Sequence, residues 1–506
     1  MKTQTLSLNL QLGDLPSLHP FHLQGPMRGY TVGKLVYEGL TRLNQNQKIE
    51  LVGADQVIVS PCKKKYTFKL RPSSWSDGTE VTAFDYEKAW KWSLHPASDC
   101  PRAELLYVIK NAEEAKKGTL DLDQVGIKAL DSYTLFIELQ HPAPYFLELL
   151  SQPIFSPIHP KEVEKEPTIF NGPFLVDTWK KSDYLLLKAN PNFWNNERRR
   201  LKAIHISMVR DSSTALQLFE KKELDWIGDH LSTIPNEALP DFQKKYHLQQ
   251  RDTIRPFWIF LNTQHSILQS PSIRKALALS INQEQIAEHI FIIADPLKGP
   301  LHHSLSSLPF PPQKNSQDCK QLFREGLEQL DLTLSNIPEL TISYFDQIPL
   351  KQLAEYLKEI WEDTFGLSIK LQGDEWNVFY SHLQRGTFHI GGCYITPYYN
   401  DPTEPLGRIA PNSPANHSQW VHSGYQEKLD IAQNTNSLEA RKAALGEAEA
   451  ILLDENPIIP VINRKVTFSH HPDLQGYTIN YAGCVDFAFA YFGKTASSNL
   501  IVEEMK

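Results

Sequence analysis

No stretch of this 506-residue chain is an uninterrupted apolar run of about 18 residues, the length a membrane-crossing helix needs, so none is expected to span a bilayer. Basic charge is also short. Lys and Arg number 51 against 59 Asp and Glu, for a formal net charge of −8, which gives a nucleic-acid partner no electrostatic support. The five cysteines, Cys62, Cys100, Cys319, Cys393 and Cys484, are scattered and form no C-x-x-C pair. Buried or incidental thiols are therefore expected rather than a zinc site or a disulfide framework.

Catalytic signatures are missing as well. There is no G-x-S-x-G elbow and no H-E-x-x-H helix. Gly493-Lys494-Thr495 imitates the end of a phosphate loop, but Ala488 stands where the first glycine should be. His302-His303 and His470-His471 are adjacent pairs, and neighbours on a strand point to opposite faces, so neither is expected to hold a metal. No nucleophile and base pair can be identified. The chain is expected to be no enzyme, with no cofactor and no metal. The N-terminus runs from Met1-Lys2 straight into an alternating pattern, Thr3 to Leu10, without the basic, apolar and cleavage regions of an export signal.

What is present is an ordinary soluble profile, 41% hydrophobic and 22% charged, at a length that points to roughly two to four domains. The clearest local pattern is Tyr66 to Trp92. Tyr66, Phe68 and Leu70 alternate with Thr67 and Lys69, the period of a half-buried strand. Pro72 ends it. Asp77-Gly78 is a tight-turn dipeptide, and Thr82 with Asp85 is a capping-box pair opening a helix whose Tyr86, Ala89, Trp90 and Ser93 share a face.

The run W-S-D-G-T-x-V-T-A-x-D within that stretch resembles the signature of the extracytoplasmic solute-binding proteins of peptide ABC importers, the oligopeptide- and dipeptide-binding family (solute-binding family 5). Further segments resemble the family in order: Leu35-Val36-Tyr37-Glu38-Gly39-Leu40, Asn171-Gly172-Pro173-Phe174, Pro191 to Asn196, Ser272 to Leu277, and Tyr399-Asn400-Asp401-Pro402-Thr403. The resemblance implies an α/β fold of three domains in a two-lobed clamshell of the periplasmic-binding-protein type, with mixed sheets and flanking helices. It also implies export, often with a lipid anchor, so that a periplasmic or cell-surface location is expected with the export signal removed from the chain.

On that plan, residues 1–40 begin domain I, 41–158 are an inserted domain II, 159–253 return to domain I, 254–470 form domain III, and 471–506 close domain I. The pattern predicts a helical run from Ala103 to Lys117 and a strand over Tyr133 to Leu139. It also predicts a βαβ unit made of Ile204 to Met208, Ser213 to Lys221 and Leu224 to Ile227, so that at least part of this sheet is parallel. In the third domain Trp258 to Asn262 reads as a buried strand, and Ser270 and Asn282 as helix caps. The segment from Gly299 to Asp318, with Pro309, Pro311 and Pro312, reads as loop. Gln352 to Phe365 reads as an amphipathic helix, and Gly391-Gly392 as glycines permitting close backbone approach.

The resemblance implies a short peptide held between lobes by backbone pairing, its side chains in hydrated pockets. Family members that bind peptides anchor the ammonium on an aspartate; aligned on Y-N-x-P-T, that position is Tyr398. A phenol, with an unperturbed pKa of about 10, supplies no negative charge at neutral pH. Three readings stay open: Asp401 or another acid takes over; the ligand is modified, such as a γ-glutamyl peptide like glutathione; or the solute is not a peptide but a nickel chelate, sugar or opine. The remaining site candidates are Arg28, for a carboxylate, and Trp376, Tyr394, Asn400 and Trp258. Expected partners are the peptide-like ligand and the permease subunits of an ABC transporter, with the receptor itself a monomer. A peptide-holding chaperone and a hydrolase on the same fold are the rival functions.

Overall fold

The computed structural model describes residues 4–23, 28–308 and 317–493. Pro309, Pro311 and Pro312, Lys494 and Thr495, the end of the expected C-terminal part, and residues 24–27 ahead of Arg28 lie outside the described residues. By the contacts of its residues the chain divides into two compact units. The first takes residues up to 140, then 146–251, then 466 onwards; the second takes His141–Tyr145 and Asp252–Lys465.

In the first unit, Lys65–Leu70 is a strand with Tyr66, Phe68 and Leu70 buried. It lies second in an antiparallel sheet ordered Ala54–Val59, Lys65–Leu70, Thr134–Glu138, Ile127–Asp131. Gly78 adopts φ +88, a conformation that a side chain would strain, and its N–H closes the turn on Trp75 O at 2.9 Å. The Asp85 carboxylate then accepts the Thr82 N–H at 2.9 Å and the buried Trp75 indole N–H at 3.1 Å, so one side chain both caps helix Ala83–Leu94 and ties it to the turn.

Two expectations need correction here. The run from Ala103 to Lys117 is not one helix but a 3₁₀ turn, Ala103–Leu106, and a short helix, Ala112–Lys116. Asn111 separates them in the left-handed region, φ 62, its amide donating to Gln124 O at 2.8 Å. Nor do the strands around helix Ser212–Glu220 pair with each other. Ala203–Ser207 runs parallel to Thr5–Asn9, whereas Trp226–Gly228 pairs antiparallel with Val466–His470. Asp225 turns the chain: its N–H donates to Ser7 O and its carboxylate accepts Ser7 N–H, both at 2.8 Å.

The second unit is built on one six-stranded mixed sheet, ordered Ala294–Pro296, Ile458–Arg464, Pro256–Leu261, Ile390–Tyr394, Leu340–Phe345, Ile369–Asp374. The strand Pro256–Leu261 is buried along its whole length, because both faces of the sheet are covered. Phe257, Ile259 and Leu261 pack with helices Pro271–Leu279 and Ile348–Phe365 on one side. Trp258 and Phe260 pack with Ser423–Asn434 and Leu438–Glu455 on the other. The caps at Ser270 and Asn282 form, but the helix after Asn282 widens into a π-helical turn, Ala287–Phe291, that stops at Ile292 with φ 61.

Candidate ligand-binding site

Strand Ile390–Tyr394 leads the chain into the segment that the sequence singles out. A Cβ on Gly392 would stand 2.8 Å from the Phe257 ring and 2.9 Å from Trp258 O, so only glycine allows this strand to lie so close against Pro256–Leu261. Beyond it, residues 395–408 are pinned by two ion pairs. The buried Asp401 accepts from Thr403 N at 3.0 Å, Thr403 Oγ1 at 2.6 Å and Arg441 Nη2 at 2.6 Å. Glu404 takes Arg408 through Nε at 3.1 Å and Nη2 at 2.5 Å, and that guanidinium also donates to Thr396 O at 3.0 Å.

The consequence is electrostatic. Both carboxylates of this loop already face a guanidinium in low-exposure surroundings, where such charge-assisted bonds are strong. A ligand ammonium would have to compete with Arg441 for Asp401. At Tyr398 the Arg408 guanidinium lies 5.9 Å from the ring centroid, a charge of the wrong sign to attract an ammonium.

Tyr145 is a member of this group that sequence reasoning missed. It comes from the short excursion His141–Tyr145, and its ring stacks on Tyr399 at 3.9 Å and 6°. Desolvation pushes the Tyr145 hydroxyl up to about 12 and raises that of Tyr399 well above the ordinary phenol value, so both stay protonated donors. The only sequence signal was the proline-rich flank, His141 to Pro144.

The other candidates fall in different places. Asn400 is exposed at the tip of the loop. Trp376 opens helix Trp376–Arg385, capped by Glu375, and is 39% exposed, stacked on Tyr380 at 5.2 Å and edge-on to Phe345 at 5.5 Å. Tyr394 lies edge-on to Phe257 at 5.1 Å, with Arg255 and Arg464 over its ring. Trp258 has no exposed surface; its indole N–H is bound to Pro300 O at 3.1 Å and its ring is core. Arg28 lies in the first unit, where Nη1 donates to the carbonyls of Leu12 and Gly13 at 2.7 and 2.8 Å.

Among the described residues no group of three or more His, Cys, Asp or Glu side chains is placed to hold a metal ion, and no helix is long and apolar enough to cross a membrane. None of the five cysteines is in a disulfide, and all but Cys62 are buried.

Comparison with known proteins fits this picture. The family model of the bacterial extracellular solute-binding proteins, family 5, matches residues 52–417. The oligopeptide-binding protein OppA of Bacillus subtilis is 31% identical over 96% of this chain and 92% of its own. The dipeptide-binding protein DppE of the same organism is 27% identical over 90% of this chain and 86% of its own. Among solved structures, Haemophilus influenzae OppA in complex with the peptide RPPGFSPFR superposes with a TM-score of 0.86 at 21% identity, covering 98% of this chain and 100% of that one. The Escherichia coli murein tripeptide binding protein MppA gives 0.87 at 23% identity, covering 98% and 99%. The α/β fold is that of the periplasmic binding proteins.

Proposed function

This chain belongs to the bacterial extracellular solute-binding proteins of family 5, and from that premise we propose that it captures short peptides or peptide-like solutes outside the cytoplasm and delivers them to the membrane subunits of an ABC importer. It binds and releases without a covalent step. Likeness to the Bacillus subtilis oligopeptide-binding protein across nearly the whole of both chains supports the peptide class. The first unit is proposed to comprise two domains, its share of residues 41–158 and the remainder, which makes three with the second unit.

The observation that carries the specificity is the charge state of residues 394–408. Tyr398 stands where the family resemblance puts an aspartate, and Asp401 and Glu404 are taken by Arg441 and Arg408. The ligand's amino terminus is therefore recognised without a carboxylate, which suits a peptide whose amine is blocked, shifted or merely hydrogen-bonded. The half-exposed Trp376 and Tyr380 pair walls a side-chain pocket.

Thermal unfolding of the purified protein with a free tripeptide, its N-acetylated form and glutathione tests this. A ligand at about 100 times its Kd adds about 2.7 kcal/mol to stability. The acetylated peptide is expected to stabilise as well as the free one, and Tyr398→Asp to create a preference for the free amine. Loss of stabilisation on acetylation would show an acidic anchor and sink the proposed recognition. No response to any of the three would remove the peptide assignment for these lengths.

A further inference from the structure

We propose that the outer face of the four-stranded sheet in the first unit docks on an anionic phospholipid surface, whichever solute the chain carries. Register builds that face. Tyr66, Phe68 and Leu70 are buried, and Tyr66 lies edge-on to Phe146 at 4.9 Å, so their side of strand Lys65–Leu70 looks into the core. Side chains alternate, which turns Lys65, Thr67 and Lys69 to the other side. There Ile58 pairs with Thr67, Thr67 with Phe136, and Phe136 with Lys128, a row that crosses all four strands. At the usual strand spacing such a row is about 14 Å wide. Ile58 is 53% exposed, Thr67 and Phe136 are half-buried, and Lys128 is exposed, so the row is open to solvent.

Basic charge flanks the row. The hairpin after Ala54–Val59 is closed by Lys63 N–H to Ser60 O at 2.8 Å and Ser60 N–H to Lys65 O at 2.9 Å, with Lys63 in the left-handed region, φ 55. This turn gathers Lys63, Lys64 and Lys65 on one side of Thr67, and Lys69 stands on the other. Among the described residues Lys63, Lys64, Lys65 and Lys128 enter no ion pair. The Lys69 amine donates to the Thr134 hydroxyl at 2.6 Å. The acids at hand are partly taken. Glu138, the register partner of Lys65, binds Lys110 at 3.2 Å, and Asp55 binds Arg71 at 2.6 Å. Asp131 accepts Tyr133 N–H at 2.8 Å and keeps its charge. Lysine still outnumbers carboxylate on this face, in a chain whose formal net charge is −8.

The distribution of apolar and basic groups selects a bilayer over an acidic protein. The middle of the face is apolar, Ile58 and Phe136, with Pro61 exposed at the hairpin. Its rim is lysine, whose long stems let the amines meet headgroup phosphates while the apolar middle rests at the interface. An anionic surface attracts this face and repels an otherwise acidic chain, which also fixes how the protein lies on it.

Co-sedimentation with two kinds of vesicle tests the face: phosphatidylcholine alone, and phosphatidylcholine with an equal part of phosphatidylglycerol. The wild-type chain is expected to sediment with the anionic vesicles at low salt, to be released as salt rises, and to ignore the neutral ones. A lysine held near an anionic surface changes the partition about fivefold, so Lys63→Gln with Lys65→Gln should weaken binding about 25-fold. Adding Lys128→Gln should weaken it again. Lys221→Gln with Lys222→Gln removes the same charge from the end of helix Ser212–Glu220, outside this sheet, and should leave binding unchanged. Ile58→Ser should weaken binding with no change of charge. A Tm equal to that of the wild type shows in each variant that binding, and not the fold, has been lost. No sedimentation of the wild type with anionic vesicles, or equal losses in the 63/65 and 221/222 variants, overturns the docking face. Full competition by soluble poly-glutamate together with undiminished binding of Ile58→Ser would give the face to an acidic protein and overturn the membrane.

Discussion

Two ionic networks, one in each unit, use the same residue types to different ends. In the first unit Lys34, Glu38, Arg42 and Asp486 are all at most 5% exposed. Arg42 bridges Asp486 at 2.5 Å and Glu38 at 3.0 Å and also holds Lys34 O at 3.1 Å. In the second unit Asp401 and Arg441 pair at 2.6 Å but keep 11% and 12% of their side-chain surface, among partly exposed tyrosines. The first network is closed to solvent and to any ligand, and its work is to fix helix Arg28–Val36 against the chain's last described segment. The second keeps some exposure, and in the function proposed above it is the network that borders the ligand. Burial, more than charge pairing, separates scaffold from site.

Breaking each network tests the distinction. Asp486→Ala leaves Arg42 buried with only part of its compensation, and about 3–5 kcal/mol of stability should be lost in a urea titration. Removing Arg42 as well would orphan the buried Glu38, so it is the triple change Glu38→Gln, Arg42→Met, Asp486→Ala that should cost less than the single one, since it leaves neither the guanidinium nor a carboxylate without its partner. A loss below about 1 kcal/mol for Asp486→Ala would mean that water reaches the cluster. Asp401→Ala should cost less, about 2 kcal/mol, because Arg441 can turn to solvent. If Asp401 is only a partner of Arg441, the free and acetylated tripeptides should lose affinity equally in this variant. A loss confined to the free peptide would make Asp401 the amine anchor.

What could be read from the sequence was local. The turn at Asp77-Gly78, the cap at Thr82 with Asp85, and the caps at Ser270 and Asn282 each rest on residues within four positions of one another, and the structure has them all. What was missed was set by distant strands. Ala203–Ser207 takes its parallel partner about 200 residues away, at Thr5–Asn9, and no pattern within 203–228 signals that. Asn111 breaks a helical pattern because its left-handed turn is tied to Gln124. At the candidate site the loop was legible as a segment. Its chemistry was not, since Arg441 reaches Asp401 from 40 residues on and Tyr145 reaches Tyr399 from 254 residues back. Arg255 and Arg464 become neighbours only through strand register.

A single buried titration sharpens the comparison most. Burial, with the Arg42 charge beside it, lowers Lys34 from 10.5 to about 7, although Asp486 and Glu38 pull the other way. The amine keeps a bond to Ser151 O at 3.0 Å in either protonation state. An unfolded lysine holds its proton up to about pH 10.4, whereas the folded one releases it from about 7. Between those values the unfolded chain binds more protons, so this residue makes the protein more stable as pH rises from 7 toward 10, by at most about 1.4 kcal/mol per pH unit. As pH falls through the same window that stability is lost. Lys34→Met should remove this slope and leave every other titration in place. The difference in unfolding free energy between wild type and Lys34→Met, taken at pH 7, 8 and 9, isolates it. Asp486→Ala should carry the wild-type slope to lower pH, because the carboxylate that favours the charged amine is gone. A flat difference would mean that Lys34 stays charged, and the closed cluster would then hold two full ion pairs instead of one arginine shared between two acids.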